Sequence, residues 1–340
     1  MKASGRLAPP APFSLGLTLL CGQCFRWEGP DAQGVFEGVA GGAFWRLRQD
    51  GELFWECSAS EVRGGEPGVW LVRYLGLDED LSGWVGEWEN HSVMEKPLAA
   101  LRGLRLMRQE PWECLVSYMF AQGLSVKVIR QALRKFCEAV GSPLEGVPGK
   151  YDFPGADRLA GLSPDVLRPF TNNYRARADR IIRAARSVRA GVISLDHLAT
   201  LPCDQAREAL MGLDGIGPKI ADCVLLFSLD QPQAFPLDRW VLRAMRRHFR
   251  SVKLLGNTGE APTPSQYPKI VAKARRGLGV RCGLVSEYLF LYLRLLEDAP
   301  LRRELAPHLS APLPPLPAPG RPRRKPGTPS PGRENFSRIR

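Results

Sequence analysis

The chain has 340 residues, 44% of them apolar, with 47 Lys and Arg against 35 Asp and Glu for a formal charge of +12. That length favours two or three domains with a sizeable core, and the basic balance suggests a polyanionic partner such as nucleic acid. No apolar run approaches the ~20 residues needed to cross a bilayer, which argues against a membrane-spanning protein.

In chain order, "FSLGLTLLC" follows "APPAP" and lacks a small-residue cleavage site, so it reads as mature sequence and not as a secretory leader. "CGQC", Cys21 to Cys24, is the one close pair among eight cysteines. Neither the second pair or His pair of a zinc site nor the cysteine cluster of an iron–sulfur site accompanies it. No metal or other cofactor is expected, and the thiols read as reduced, in an intracellular protein. Residues 34–57, "GVFEGVAGGAFWRLRQDGELFWEC", alternate and are cut by "GG" and "DG", the pattern of a small antiparallel sheet with tight turns. After "GGEPG" the spacing turns helical. "WECLVSYMFAQ", "SVKVIRQALRKFCEAV", "NNYRARADRIIRAARSV", "CDQAREALMG", "RWVLRAMRRHF" and "GLVSEYLFLYLRLLED" carry apolar residues three and four apart.

The expected fold class is therefore α+β. A β-rich domain over 1–95 precedes a helical body over 96–305. A Pro-rich basic tail over 306–340 is expected to be disordered. From Ala311 to Arg340 there are seven basic residues against one acid, about half the charge surplus.

The informative stretch is "CDQAREALMGLDGIGPKIADCVLLF", read as helix, glycine turn, helix over about 204–228. Pro218 suits a first helical position. Gly215 and Gly217 allow positive φ and leave backbone amides bare at a helix N-terminus, which can grip a phosphate; an ordinary αα-corner would read the same way. Lys219 sits on the first turn, with Cys223 four residues on and on the same face. Helix dipole and apolar surroundings would favour its neutral amine, a nucleophile able to form a Schiff base; a snorkelling lysine is the plainer reading. Asp238, 19 residues later in "QAFPLDRW", suits an N-cap and could still present its other oxygen to a substrate.

Taken together, these segments resemble the helix-hairpin-helix DNA glycosylases, and within them the bifunctional 8-oxoguanine branch. The resemblance is carried by "CGQCFRW" (21–27), "LRLMRQEPWECLVSYMF" (104–120), "YRARADRI" (174–181), "GIGPKIADC" (215–223), "DQPQAFPLD" (230–238) and Phe290 in "GLVSEYLF", in consistent order over roughly residues 12–297. It implies a monomer acting on double-stranded DNA that contains oxidised guanine, in the cytoplasm or nucleoid of a bacterium or the nucleus of a eukaryote. Lys219 would attack C1′ of a flipped nucleotide, and Asp238 would stabilise charge on the sugar. Gly22 would accept the N7–H of 8-oxoguanine. Cys223 and Phe290 would sandwich the base, and Ser286 would lie at its Watson–Crick edge, with Glu287 as the neighbouring candidate. Tyr174 would wedge the duplex and Arg175 would contact the orphaned cytosine, while Gly215 and Gly217 would meet the DNA backbone.

The departures from the family pattern are as specific. Gly123 stands in place of an Asn that reads cytosine, and Val128 in place of a second cytosine-reading Arg. The expected preference for cytosine opposite the lesion is correspondingly weak. Trp240 replaces a His thought to meet phosphate, and Pro218 replaces a Thr. Three other readings remain open on residues alone: a glycosylase for alkylated purines, a non-catalytic DNA-binding module, and a thiol-redox protein built on "CGQC". Lys219 argues against the first, Lys219 with Asp238 against the second, and the lack of a following βαβ unit against the third.

Overall fold

The computed structural model describes residues 1–88, 91–248, 262–263 and 265–316. Five strands, β1 (Ala3–Leu7), β2 (Trp27–Glu28), β3 (Val35–Ala40), β4 (Ala43–Asp50) and β5 (Glu52–Cys57), form one antiparallel sheet in the order β1-β5-β4-β3-β2. The "GG" turn joins β3 to β4 with Gly41 and Gly42 at φ +62° and +80°, the left-handed pair that a tight hairpin needs. Period-two alternation places Leu53, Trp55 and Cys57 of β5 in the core. β1 and β2 lie outside the alternating run and were not readable from it.

Sixteen helices are described: α1 (Leu15–Leu20), α2 (Pro67–Tyr74), α3 (Ser82–Trp88), α4 (Glu95–Ala100), α5 (Pro111–Phe120), α6 (Val126–Val140), α7 (Ala156–Ala160), α8 (Pro164–Leu167), α9 (Arg175–Arg189), α10 (Leu195–Thr200), α11 (Cys203–Met211), α12 (Pro218–Ser228), α13 (Arg239–His248), α14 (Tyr267–Leu278), α15 (Cys282–Leu295) and α16 (Ala299–Leu305). The six segments with helical spacing became α5, α6, α9, α11, α13 and α15; Phe249, the last residue of the "RWVLRAMRRHF" run, lies outside the described residues. No described helix is long and apolar enough to cross a membrane.

The core is divided into two clusters that do not follow chain order. One joins the sheet and α1–α4 to α13–α16, so the C-terminal helices close back on the N-terminal sheet. The other is built from residues between Cys114 and Ala234, together with Phe25. The tail departs from expectation at its start. Residues 306–316 are packed: Leu313 is buried, Ser310 N donates to Ala100 O, and Arg302 donates to the carbonyls of Leu313 and Pro314. The expected disordered segment beyond them, 317–340, lies outside the described residues.

Candidate active site

A cleft of about 580 Å³ opens along the seam between the two clusters. Gly22, Gly123, Lys219, Cys223, Asp238, Ser286 and Phe290 all line it, so seven of the expected residues from six separate segments meet at one place. The second cluster supplies Lys219 and Cys223 from α12, and Tyr118 from α5. The first supplies Asp238 at the head of α13 and Ser286, Glu287 and Phe290 from α15.

The hairpin positions the amine. Gly215 takes φ +83°, and a Cβ on it would meet Arg180 Cδ at 2.5 Å, so both backbone and packing require glycine there. Gly217 does not share that role. It is the extended N-cap of α12 at φ −91°, and a Cβ on it would meet nothing within 4 Å. Its expected positive φ is corrected: no strain excludes a side chain, and glycine simply leaves the helix N-terminus unobstructed. Pro218 takes the first helical position as expected.

Lys219 lies over the Tyr118 ring, 5.2 Å from its centroid. The expected lowering of its pKa is also corrected. Burial pulls the amine down, but Cys223 and Asp238 outweigh it and hold the amine above the ordinary lysine value. The resting group is an ammonium. Beside it, burial pushes the Cys223 thiol up to about 12.

Asp238 does what both of its readings required. Its Oδ1 accepts from the amides of Trp240 and Val241, each at 2.8 Å, which caps α13. Both bonds use one oxygen, and Oδ2 stays outside the cap. Burial raises its pKa, against the cap bonds and Lys219, which lower it.

Gly22 sits at φ +109°, with Arg294 Nη1 and Val126 Cγ2 each 3.4 Å from where a Cβ would be. Gln23, which the motif reading passed over, fixes this turn. It is fully buried; its amide group donates to Thr18 O and Arg105 O and accepts from Met107 N. Its own carbonyl accepts from Gln109 Nε2 and from Tyr118 Oη. Tyr118 therefore clamps the Gly22 turn with its hydroxyl and carries Lys219 on its ring. Cys21 and Cys24 are buried thiols that donate to Thr18 O and Leu19 O, and burial pushes Cys24 up to about 12. Such thiols are inert, which removes the redox reading.

Two residues on α15 reverse their expected roles. Ser286 is buried and its hydroxyl donates to Gly283 O at 2.7 Å, so its proton is spent on its own helix. Glu287, 4% exposed, has an Oε1 with no hydrogen-bond partner. Burial, reinforced by Asp238, raises its carboxyl to about 7.

Tyr174, Arg175, Gly215 and Gly217 lie outside the cleft lining. Tyr174 caps α9 and is 52% exposed, and Arg175 beside it is also exposed. Gln122 ties this rim together: its side chain donates to Gly215 O at 3.0 Å, and its carbonyl accepts from Arg177 Nη2 at 2.6 Å. The basic face of α9 is more than a solvated surface, since Arg180 and Arg183 both pair with Asp214 of the hairpin turn. Neither Gln122 nor Asp214 belongs to a periodic pattern, so spacing could not single them out. Among the described residues no cluster of His, Cys, Asp and Glu could hold a metal ion.

Two family models match in tandem. Residues 7–115 match the 8-oxoguanine DNA glycosylase N-terminal domain, and residues 116–260 match the HhH-GPD superfamily of base excision DNA repair proteins. The chain is 28% identical over 309 residues to N-glycosylase/DNA lyase OGG1 of Arabidopsis thaliana, covering 88% of this chain and 81% of that one. It is similar to the solved structure of MBOgg1 in complex with a low affinity DNA ligand, at TM-score 0.74 and 27% identity, covering 86% and 95% of the two chains. It is also similar to the apo form of the 8-oxoguanine glycosylase/lyase of Clostridium acetobutylicum, at TM-score 0.72 and 26% identity, covering 86% and 97%.

Proposed function

The chain belongs to the 8-oxoguanine DNA glycosylase/lyase family of the helix-hairpin-helix superfamily, and on that premise we propose how its cleft excises 8-oxoguanine from duplex DNA and nicks the strand. The observation that carries the proposal is the meeting of Lys219 and Asp238, from opposite walls, in one cleft with Gly22, Cys223 and Phe290.

The lesion nucleotide flips into the cleft, since its glycosidic bond is out of reach within the duplex. Lys219 starts as an ammonium and must first lose a proton; the raised carboxylate of Asp238 is the acceptor. The free amine attacks C1′ as the C1′–N9 bond breaks, and the electron pair leaves with the base, which takes the proton from Asp238. Opening of the sugar expels the ring oxygen and gives the Schiff base. Loss of a C2′ proton with departure of the 3′-phosphate then cuts the strand. Gly22 accepts from N7–H, which guanine lacks, and Cys223 and Phe290 flank the ring. Tyr174 fills the duplex, Arg175 meets the orphaned base, and the hairpin amides at Gly215 and Gly217 hold phosphate. The protein acts as an intracellular monomer.

Its preference for cytosine opposite the lesion is weak. Gly123 has nothing within 4 Å of where a Cβ would lie, and Val128 presents an exposed apolar side chain on α6. A bidentate base contact is worth about 1–3 kcal/mol of discrimination, and two such contacts are lacking. Base release from duplexes with C, A, G or T opposite 8-oxoguanine tests both levels. Release at rates within about tenfold of one another is expected. A strong preference for C contradicts the opposite-base reading, and release of an alkylated purine in place of 8-oxoguanine contradicts the substrate.

A further inference from the structure

Glu287 is the one buried carboxyl in the cleft wall that the mechanism leaves unused. It lies on α15 one turn before Phe290, and residues three apart share a helix face. Its Oε1 is enclosed and has no donor, whereas buried acceptors are ordinarily paired. The charged and titratable groups around it are Cys21 behind α1, Asp238 at the head of α13, Lys219 on α12 and Arg294 on its own helix. Arg294 does not neutralise it directly: that guanidinium lies over the Phe290 ring at 5.3 Å and hydrogen-bonds Asp298 at 3.3 Å. The neighbouring Ser286 hydroxyl is committed to Gly283 O.

A free acceptor inside a cleft that takes a purine calls for a base edge made of donors. Guanine and 8-oxoguanine present two adjacent donors there, N1–H and the 2-amino group, while adenine turns the N1 lone pair to the same place. We propose that Glu287 is the specificity-determining residue for the guanine-type edge, its carboxylate accepting from N1–H and from the 2-amino group of the flipped base. The role rests on the glycosylase function proposed above and adds a second selection to it. Gly22 tests for oxidation at N7, and Glu287 tests for guanine over adenine by leaving an adenine-type N1 facing a carboxylate lone pair. Its carboxyl, held near 7 by burial, is ionised by these donors as the base enters. Reading of the guanine edge therefore strengthens as pH rises through 7.

The test uses full-length protein and duplexes carrying 8-oxoguanine, 8-oxohypoxanthine, which lacks the 2-amino group, or 8-oxoadenine. A duplex with a preformed abasic site, which has no base to read, reports folding and lysine chemistry separately. The wild type is expected to release 8-oxoguanine at least about tenfold faster than 8-oxohypoxanthine. E287A and E287Q are expected to narrow that ratio to about twofold, and to lose at least about tenfold more base release than abasic-site nicking. If both variants keep wild-type discrimination, or lose nicking as much as base release, Glu287 does not read the base. A wild type that releases no 8-oxoguanine at all overturns the function itself, and this role with it.

Discussion

The two walls of the cleft are made differently. The hairpin wall is local: Gly215, Pro218, Lys219 and Cys223 fall within nine residues, and their places follow from a glycine turn and one helical period. The facing wall is assembled from the Gly22 turn, the Asp238 cap and α15, which are far apart in sequence and meet because α13–α16 fold back onto the N-terminal sheet. The hairpin wall holds the nucleophile on a rigid element. The facing wall holds the carboxylates and the contacts to the base, and there the chain departs from its family, at Ser286, Glu287 and Trp240.

That contrast can be broken by substitution. The largest effect is expected at the hairpin wall: K219Q should lower base release and strand nicking by at least about 10³-fold in single-turnover assays. D222N attacks the tie between the walls. Asp222 is fully buried under the hairpin and accepts from Arg207 Nε and Tyr267 Oη, each at 2.7 Å, joining α12 to α11 and α14. Losing one partner of a buried pair should cost about 3–5 kcal/mol of unfolding free energy by denaturant titration. On the facing wall, D238N keeps a capping oxygen but not the charge. Turnover should fall about 10²-fold with stability nearly unchanged, while D238A should lose the cap as well, about 1 kcal/mol.

The smallest effect belongs to Glu287. Its folded carboxyl lies near 7, above its ordinary value of 4.5, so the native state holds the proton more tightly than the unfolded chain does. Its stabilising contribution is therefore complete below 4.5 and is lost as pH rises to about 7, by roughly 1–3 kcal/mol. E287Q should flatten that part of the stability–pH curve. An unchanged slope would mean that the carboxyl is not held near 7.

Much of this was legible in the sequence. The β3–β5 meander, six of the helices and the pairing of Lys219 with Asp238 followed from periodicity, turn chemistry and motif order. What escaped was set by contacts between distant segments. The sign of the Lys219 shift depends on Asp238, which no local spacing places beside it, and the helix dipole and apolar neighbours alone pointed the wrong way. Gln23 and Gln122 act through backbone carbonyls at turns, where no period marks them. Ser286 lines the cleft, yet its hydroxyl had a nearer acceptor one turn back on its own helix. The tail began later than composition suggested because Leu313 found a place in the core.

The most direct measurement is borohydride reduction of the enzyme on 8-oxoguanine duplex, followed by peptide mapping of the trapped adduct. The cross-link should fall on Lys219 and disappear in K219Q. A cross-link on another residue, or one that persists in K219Q, would contradict the assignment of the nucleophile to the hairpin.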